Sequence, residues 1–254
     1  MILQQICPVH DIQQYSKDIF ILSFVAPAIA RALRPGQFVN IKVDDGLSPL
    51  LRRPFSAHRI ERDRIEVLFD VVGKGTAILS QKRPGDLLDV LGPLGVPFDL
   101  ERQDFSTAIL VAGGLGVAPF PLVSDFLRRG AKQVVTFLGG RSSSVIVDVH
   151  LENLLVATDD GSRGFHGNVV DLLKETMAKR AFILPRIFGC GPTPMLRALS
   201  AFALEHQIPA EVSLEGPMAC GIGICQGCPV ELTEGGYALM CKDGPVFDVR
   251  KILL

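Results

Sequence analysis

The 254-residue sequence predicts a mixed β and α/β chain with two domains and a small C-terminal appendage. Three observations support this prediction. Residues 1 to about 100 contain short apolar segments between proline, glycine and aspartate turns, later apolar strands alternate with helical stretches, and four cysteines cluster near the C-terminus. We therefore expect an antiparallel six-stranded barrel at 1–102, a doubly wound parallel sheet at 103–214 and a small cysteine-bearing domain at 215–254.

The barrel prediction depends on three apolar segments at Ile19–Val25, 38–43 and 64–72. The last of these begins with alternating charged and apolar residues, as a half-buried strand does. Segments of this length between turn residues are typical of a barrel with about six short strands. One short helix is expected around residues 76–81.

The second half begins with residues 107–112, TAILVA, a continuous apolar strand followed by a glycine turn and a helix that ends near residue 130. Further strands are expected at 134–138, 154–157, 185–188 and 211–214. Helices are expected at Val169–Lys179 and 195–206. Strands and helices in alternation predict a doubly wound parallel sheet.

Composition excludes several classes of function. The net charge is −1 and the 26 basic residues are dispersed, so neither nucleic acid nor an anionic membrane is an expected partner. Apolar runs fall short of the ~18 residues that a membrane-spanning helix needs. The N-terminus does not resemble a secretion signal, and six cysteines then indicate a reducing compartment. We therefore expect a cytoplasmic protein.

The most specific motif is a set of four cysteines with the spacing C-x4-C-x2-C-x12-C. Its members are Cys220, Cys225, Cys228 and Cys241. This is the spacing of a plant-type [2Fe–2S] site, in which three thiolates share one loop and the fourth comes from a later segment. Glycines at 221, 223 and 227 let backbone amides approach the cluster sulfurs.

Zinc and disulfides are the alternatives for these cysteines. Zinc ribbons favour two C-x2-C units, and only one is present. Disulfides suit exported proteins, which this sequence does not resemble. The spacing therefore predicts an iron–sulfur cluster, and metal coordination would stabilise a segment too short for its own core.

Two motifs in the barrel half carry groups suited to an anion. Residues 52–56 read Arg-Arg-Pro-Phe-Ser, which places a guanidinium beside a rigid turn and a hydroxyl. Residues 71–76 read Val-Val-Gly-Lys-Gly-Thr, and glycines before a helix expose amides to a pyrophosphate. Taken alone, the first motif could equally be a structural arginine pair in a turn, and the second could be an ordinary glycine-rich turn.

A third motif, residues 111–119, reads VAGGLGVAP and lies between a predicted strand and a predicted helix. This is the context of a dinucleotide site. Glycine-bearing segments at 139–141, 158–162 and 189–192 also follow predicted strands. Ligands bind beyond the carboxyl ends of strands in such sheets, so the four segments together predict a nucleotide site.

Taken in order, these motifs resemble the ferredoxin–NADP reductase superfamily, in which a flavin barrel precedes a nicotinamide-nucleotide domain. The resemblance rests on residues 51–56, 72–76, 112–119 and 189–195 and on the cysteine tail. Residues 240–247, Met-Cys-Lys-Asp-Gly-Pro-Val-Phe, are similar to the tail of the electron-transfer subunits of class 1B dihydroorotate dehydrogenases. The resemblance covers essentially the whole chain.

The resemblance implies an FAD-binding barrel, an NAD-binding α/β domain and a [2Fe–2S] domain. Arg53 would bind an FAD phosphate and Ser56 would lie near the flavin ring, with Pro54 and Phe55 between them. The pyrophosphate would be held by the second motif, at Val72, Gly73, Gly75 and Thr76. The nicotinamide nucleotide would be bound by Gly113, Gly114, Gly116, Gly191 and Pro192. Cys190 would lie near the nicotinamide or the flavin, and a small buried side chain is an equal interpretation of it.

The resemblance also implies a function in electron transfer. NAD(H) exchanges a hydride and the cluster exchanges single electrons, whereas FAD does both and belongs between them. A separate FMN-containing subunit would interconvert dihydroorotate and orotate in pyrimidine biosynthesis, in a heterotetramer with two copies of each chain. The sequence carries no acid–base triad, and its five histidines lack ligand spacing. We therefore expect no oxidation of dihydroorotate by this chain alone.

Two other functions remain open from the sequence. The small subunit of an NADH-dependent ferredoxin:NADP oxidoreductase is the nearer one, although such relatives tend to have aspartate where this chain has Cys220. A non-enzymatic subunit with a structural zinc is the other. NADH is expected over NADPH because Asp159 and Asp160 would repel a 2′-phosphate, with Arg141 and Arg163 nearby in sequence.

Overall fold

The first half of the chain folds into a closed antiparallel barrel of six strands in the computed structural model, which describes residues 1–44 and 46–254. Its strands and two short helices are β1 (Leu3–Gln14), β2 (Ile19–Val25), α1 (Pro27–Ala32), β3 (Phe38–Lys42), β4 (Arg53–Glu61), β5 (Arg64–Asp70), α2 (Lys74–Leu79) and β6 (Leu87–Leu94). They close in the order β1-β2-β5-β4-β3-β6. The predicted six-stranded barrel is confirmed.

Helix α2 begins at Lys74 and ends at Leu79, and is therefore shifted toward the N-terminus from the predicted 76–81. The reason lies in its first turn. The Thr76 hydroxyl accepts hydrogen bonds from the backbone N–H groups of Val72 and Gly73. These bonds satisfy amides that have no partner within a helix, so the helix begins before Thr76.

The second half forms a parallel sheet flanked by helices. Its elements are β7 (Thr107–Gly113), α3 (Phe120–Arg129), β8 (Gln133–Gly140), β9 (Leu154–Thr158), β10 (Phe165–His166), α4 (Val169–Lys179), β11 (Pro185–Cys190), α5 (Thr193–Glu205) and β12 (Ala210–Ser213). The strand order is β10-β9-β8-β7-β11-β12, and every neighbouring pair is parallel. The predicted doubly wound sheet is confirmed. The strand order reverses between β7 and β11, and a crevice opens at such a point beyond the strand ends.

The C-terminal segment contributes β13 (Pro229–Glu231), β14 (Tyr237–Leu239) and β15 (Val246–Asp248). β13 and β14 pair as a small antiparallel sheet, whereas β15 extends the large sheet antiparallel to β12. Val230, Met240 and Phe247 are buried in the same hydrophobic cluster as Val212 and Leu199 of the α/β half. The segment therefore shares the neighbouring core, in agreement with the expectation that it is too short for its own.

The barrel packs against the α/β half through both apolar and polar contacts. Ile19 and Leu68 of the barrel share a hydrophobic cluster with Phe120 of α3. The imidazole of His58 in β4, fully buried, forms a 2.8 Å hydrogen bond through Nδ1 to the Ala118 carbonyl. These contacts hold the glycine turn after β7 against the barrel. Across residues 1–44 and 46–254, the helices are too short or too polar to span a membrane.

Candidate functional site

Two adjoining clefts lie where the barrel meets the α/β half. The larger, with a volume of about 1050 Å³, opens beyond the carboxyl ends of the parallel strands. The smaller, about 400 Å³, lies between the barrel and the segment after β12. Asp70, Leu115 and Glu215 line both clefts. Because they share this wall, ligands bound in the two clefts would lie side by side.

The larger cleft brings together segments that the sequence predicts for a nucleotide. Its wall includes Gly113, Gly114, Gly116 and Pro192. Gly191 lies directly behind it, since a Cβ at this residue would stand 2.9 Å from the backbone nitrogen of Gly113. The glycines therefore let the loops after β7 and β11 pack backbone to backbone.

The strand ends of β8 and β9 complete the larger cleft. Gly139, Gly140 and Arg141 line it from the first strand and Asp159 from the second. A Cβ at Gly139 would stand 2.7 Å from Cβ of Val169, the first residue of α4. Glycine therefore permits the close approach of this helix to the cleft. The edge predicted from the four glycine-bearing segments exists as one surface.

The smaller cleft is lined by the residues of the first barrel motif. Arg53, Pro54, Phe55 and Ser56 open strand β4 and form one side of its wall. The ring of Phe55 lies in the barrel core, with its centroid 5.7 Å from that of Phe69. The Phe55 side chain therefore supports the wall from inside the barrel.

The two neighbouring arginines have different partners. Arg52 Nη2 donates to Asp89 Oδ2 at 2.6 Å and is a structural ion pair. Arg53 Nη1 donates to the Leu51 carbonyl at 2.6 Å, and no carboxylate of the described residues pairs with it. A guanidinium without a carboxylate at the edge of a cleft suits a phosphate. Arg52 therefore fits the interpretation as a structural arginine, whereas Arg53 is the candidate phosphate ligand.

The glycine motif before α2 contributes Val72 and Thr76 to the wall of the smaller cleft. Of the described residues in this motif, Gly73 and Gly75 are not part of that wall. A Cβ at Gly75 would stand 2.9 Å from Arg53 Nε, so glycine here leaves room for the arginine. The assignment of Gly73 and Gly75 to a pyrophosphate stays a prediction.

Cys190, at the end of β11, is fully buried beneath the junction of the two clefts. Its Sγ lies 3.7 Å from Oε1 of Glu215. Burial raises the pKa of this thiol well above its ordinary value, and the Glu215 carboxylate raises it further. Cys190 is therefore a neutral thiol rather than a nucleophile. A direct contact with nicotinamide or flavin stays a prediction.

Glu215 is the main site residue that the sequence analysis missed. Its side chain lies in the wall of both clefts, and partial desolvation by the cleft walls raises its pKa, with a further contribution from Asp70. Its position in the sequence could have indicated a role in the site, because Glu215 directly follows the strand predicted at 211–214. Polar residues at the carboxyl ends of parallel strands are candidate ligand contacts.

The four cysteines of the C-terminal motif come together as two pairs. The Cys225 backbone N–H donates to Cys220 Sγ at 3.4 Å, and the Cys241 backbone N–H donates to Cys228 Sγ at 3.5 Å. Among the residues described, His, Cys, Asp and Glu side chains do not gather in threes around a point suited to one metal ion. Three thiols on one loop and a fourth from a later segment are the ligand arrangement of a plant-type two-iron cluster.

Backbone amides of the cysteine loop point at the sulfur atoms. Cys220 Sγ accepts from the N–H groups of Ile222 at 3.5 Å and Cys225 at 3.4 Å. Cys241 Sγ accepts from the N–H of Gly223 at 3.1 Å. Amide donors to sulfur stabilise the thiolate form that metal binding requires. The donor set and its hydrogen bonds therefore fit an iron–sulfur cluster.

Burial and the amide hydrogen bonds together shift the pKa of Cys220 and the pKa of Cys241 in opposite directions. Burial by itself would raise the pKa of Cys220, but the amides outweigh burial and lower that pKa to about 6. Burial raises the pKa of Cys241 to about 12. Metal binding would therefore meet a thiolate at Cys220 and displace a proton from Cys241.

The cysteine loop adjoins the smaller cleft on one side and the protein surface on the other. Met218 lines that cleft and precedes Cys220 by two residues. Cys225 is exposed, and Ile224 beside it has 75% of its surface exposed. The loop therefore connects the cleft to the outside of the molecule.

Comparisons with known proteins identify similar chains. The model of the iron–sulfur cluster-binding domain of dihydroorotate dehydrogenase B matches residues 215–253. The dihydroorotate dehydrogenase B (NAD(+)) electron transfer subunit of Desulforamulus reducens is 40% identical over 240 residues, covering 91% of this chain and 90% of that protein. The subunit of the same name from Fusobacterium nucleatum is 34% identical and covers 95% of both chains.

Solved structures share the fold. A chain of the NADH-dependent reduced ferredoxin–NADP oxidoreductase superposes with a TM-score of 0.86 at 28% identity, covering 98% of this chain and 90% of that chain. A ferredoxin–NADP+ reductase from Neisseria gonorrhoeae superposes with a TM-score of 0.67 at 16% identity, covering 80% and 91%. At that identity the second likeness concerns the fold alone.

Proposed function

The chain belongs to the family of electron-transfer subunits of dihydroorotate dehydrogenase B, and on that premise we propose that it carries electrons between NAD and the catalytic subunit of that enzyme. The observation that carries the proposal is the serial arrangement of three candidate sites. The larger cleft shares a wall with the smaller one, and the smaller one adjoins the cysteine loop. Electrons passing through these sites would need only short steps.

Each site has residues for one redox group. The larger cleft would hold the nicotinamide nucleotide on Gly113, Gly114 and Gly116. The smaller cleft would hold FAD, with Arg53 toward a phosphate and Ser56 near the ring. The four cysteines would hold the [2Fe–2S] cluster. FAD supplies the exchange between hydride and single-electron chemistry. The protein orients these groups, and Glu215, in the wall that the two clefts share, would face both ligands.

A preference for NAD over NADP has support in the larger cleft. Asp159 lies in its wall, and its carboxylate would repel a 2′-phosphate. Arg163, one of the two nearby arginines, donates from Nη2 to Asp148 Oδ2 at 2.6 Å. That ion pair engages the guanidinium, and Arg163 is not among the residues that line the cleft. Arg141 lies in the wall of this cleft, as do Lys17 and Lys174.

The partner would be the FMN-containing catalytic subunit, in an assembly with two copies of each chain. It would approach the exposed side of the cysteine loop, at Ile224 and Cys225, because single electrons need a short path. A cytoplasmic location is part of this proposal, since six cysteines without a disulfide suit a reducing compartment. The relatives of 34–40% identity favour this assignment over the ferredoxin:NADP oxidoreductase, whose solved chain is 28% identical.

Anaerobic purification of the chain tests the proposal directly. We expect flavin and iron–sulfur bands in the visible absorbance and about two irons with two acid-labile sulfides per chain. NADH should reduce artificial electron acceptors, whereas dihydroorotate should yield no orotate until the catalytic subunit is added. A Cys225→Ser variant should lose the cluster and keep FAD, while Cys7→Ala, which alters a buried barrel cysteine, should keep both.

Two results would contradict the proposal. A colourless chain that holds one zinc would support a structural subunit instead. Orotate formation from dihydroorotate by the chain alone would place the catalytic site here rather than on the partner.

A further inference from the structure

Asn40 is a buried polar residue on the outer face of the barrel. It lies in β3 between Val39 and Ile41, whose side chains belong to the barrel core. Because successive side chains of a strand point to opposite faces, the Asn40 side chain points away from that core. Only 1% of its surface is exposed. Another segment of the chain must therefore cover it.

The covering segment is the loop of the first cysteine ligand. Asn40 Nδ2 donates a 3.3 Å hydrogen bond to the carbonyl of Cys220. Gly221 adopts a φ of +71°, and a Cβ on this residue would stand 2.5 Å from Asn40 Nδ2. The backbone of the cysteine loop thus rests directly on the side-chain amide.

The other atom of this amide has no partner. Asn40 Oδ1 is buried and forms no hydrogen bond with any described residue. A buried acceptor without a donor lowers stability, and a leucine of similar size would avoid that cost. Stability of the barrel alone therefore does not account for an asparagine here.

The position of Asn40 links the cysteine loop to the smaller cleft. Asn40 is paired with Pro54 of β4, and its neighbour but one, Phe38, is paired with Ser56. Phe38, Pro54 and Ser56 all line the smaller cleft. Strand β3 therefore carries both Phe38, in the wall of this cleft, and the amide that holds Cys220.

We propose that Asn40 is a positioning residue that holds the first cysteine ligand at a set place relative to the flavin cleft. The inference rests on the proposed function, since it assumes that the cysteines bind the cluster and the smaller cleft binds FAD. Loss of the amide would loosen the loop around Cys220. Hydride exchange between NADH and the flavin does not involve this loop and would be unchanged.

The test compares Asn40→Leu with the wild-type chain, both purified anaerobically with their cofactors. We expect iron to be released to a chelator about fivefold faster, as the loss of one hydrogen bond predicts. We also expect altered g-values in the electron paramagnetic resonance signal of the NADH-reduced cluster. FAD content and the rate of flavin reduction by NADH should match the wild type.

Gln4→Leu is the matched control. Gln4 is an exposed amide on the same row of the barrel, since Leu91 is paired with both Gln4 and Asn40. This variant should keep the wild-type iron release and resonance signal. An Asn40→Leu chain with wild-type iron release and g-values would overturn the positioning role, and so would one that loses FAD together with iron. A wild-type chain without iron would instead contradict the proposed function itself.

Discussion

At the scale of single residues, His58 shows how a buried titratable group joins the two halves of the molecule. Burial, with smaller contributions from the nearby His150 and Arg59, lowers its pKa from 6.5 to about 4, against the Ala118 carbonyl, which favours the charged form. The imidazole is therefore neutral at pH 7 in the folded chain. The unfolded chain takes up a proton at this residue below about pH 6.5.

This difference predicts a loss of stability in acid. As the pH falls from 6.5 to 4, proton uptake by the unfolded chain should cost up to about 3 kcal/mol of unfolding free energy. A His58→Leu variant should lose about 1 kcal/mol at pH 7, because the Ala118 carbonyl loses its partner. It should, however, lose less stability than the wild type between pH 7 and about pH 4.5. Urea unfolding followed by circular dichroism at both pH values measures this, and equal losses in the two chains would refute it.

At the scale of elements, the larger cleft depends on two loops that touch through their backbones. A Cβ added at Gly116 would collide with the carbonyl of Cys190 at the end of β11. The Cys190 carbonyl cannot easily move away, because Cys190 lies in a strand that is paired with both β7 and β12 and is fully buried. The glycine therefore permits the contact that shapes the cleft.

A Gly116→Ala variant should separate these loops and weaken nucleotide binding. Overpacking of this kind costs typically 1–3 kcal/mol. We expect the KM for NADH to rise about tenfold with FAD content unchanged. Gly130→Ala is a suitable control, because its Cβ would stand 3.4 Å from the Leu127 carbonyl, an ordinary contact, away from both clefts. Wild-type KM in Gly116→Ala would show that the cleft tolerates the change.

At the scale of the whole molecule, the β1–β2 hairpin reaches from the barrel to the larger cleft. Ser16, Lys17 and Asp18 line that cleft. The Tyr15 hydroxyl donates a 2.7 Å hydrogen bond to Asp148 Oδ1 in the α/β half. This bond and the Arg163 guanidinium hold the pKa of Asp148 below its ordinary value. A charged link thus joins the hairpin to the opposite side of the cleft.

A Tyr15→Phe variant removes this link without changing the ring. We expect the unfolding free energy to fall by about 1 kcal/mol and the KM for NADH to rise, because the hairpin is no longer held at the cleft. Tyr237→Phe, at a tyrosine with 71% of its surface exposed, should change neither quantity. Denaturant unfolding and steady-state kinetics measure both effects. Equal behaviour of the two variants would mean that the hairpin is held by its apolar contacts.

Several elements were beyond prediction from the sequence. Strands β1 and β6 were included only in the expected number of barrel strands, because their apolar residues alternate with polar ones and form no long continuous run. Strand β15 pairs antiparallel with β12 in the large sheet. The two strands are more than 30 residues apart in the chain, so local sequence patterns do not reveal this pairing. Glu215 and Asn40 acquire their roles only from segments distant in sequence.

The sequence by itself determined the fold class, the cysteine motif and the glycine segments of the nucleotide edge. These are local features, since ligand spacing, strand periodicity and glycine turns are each contained within a few residues. The tertiary structure decided which arginine of the motif pairs with Asp89, which amides reach the cysteine sulfurs and which residues the two clefts share. Such properties depend on contacts between segments far apart along the chain, and only the packed molecule brings those segments within hydrogen-bonding distance.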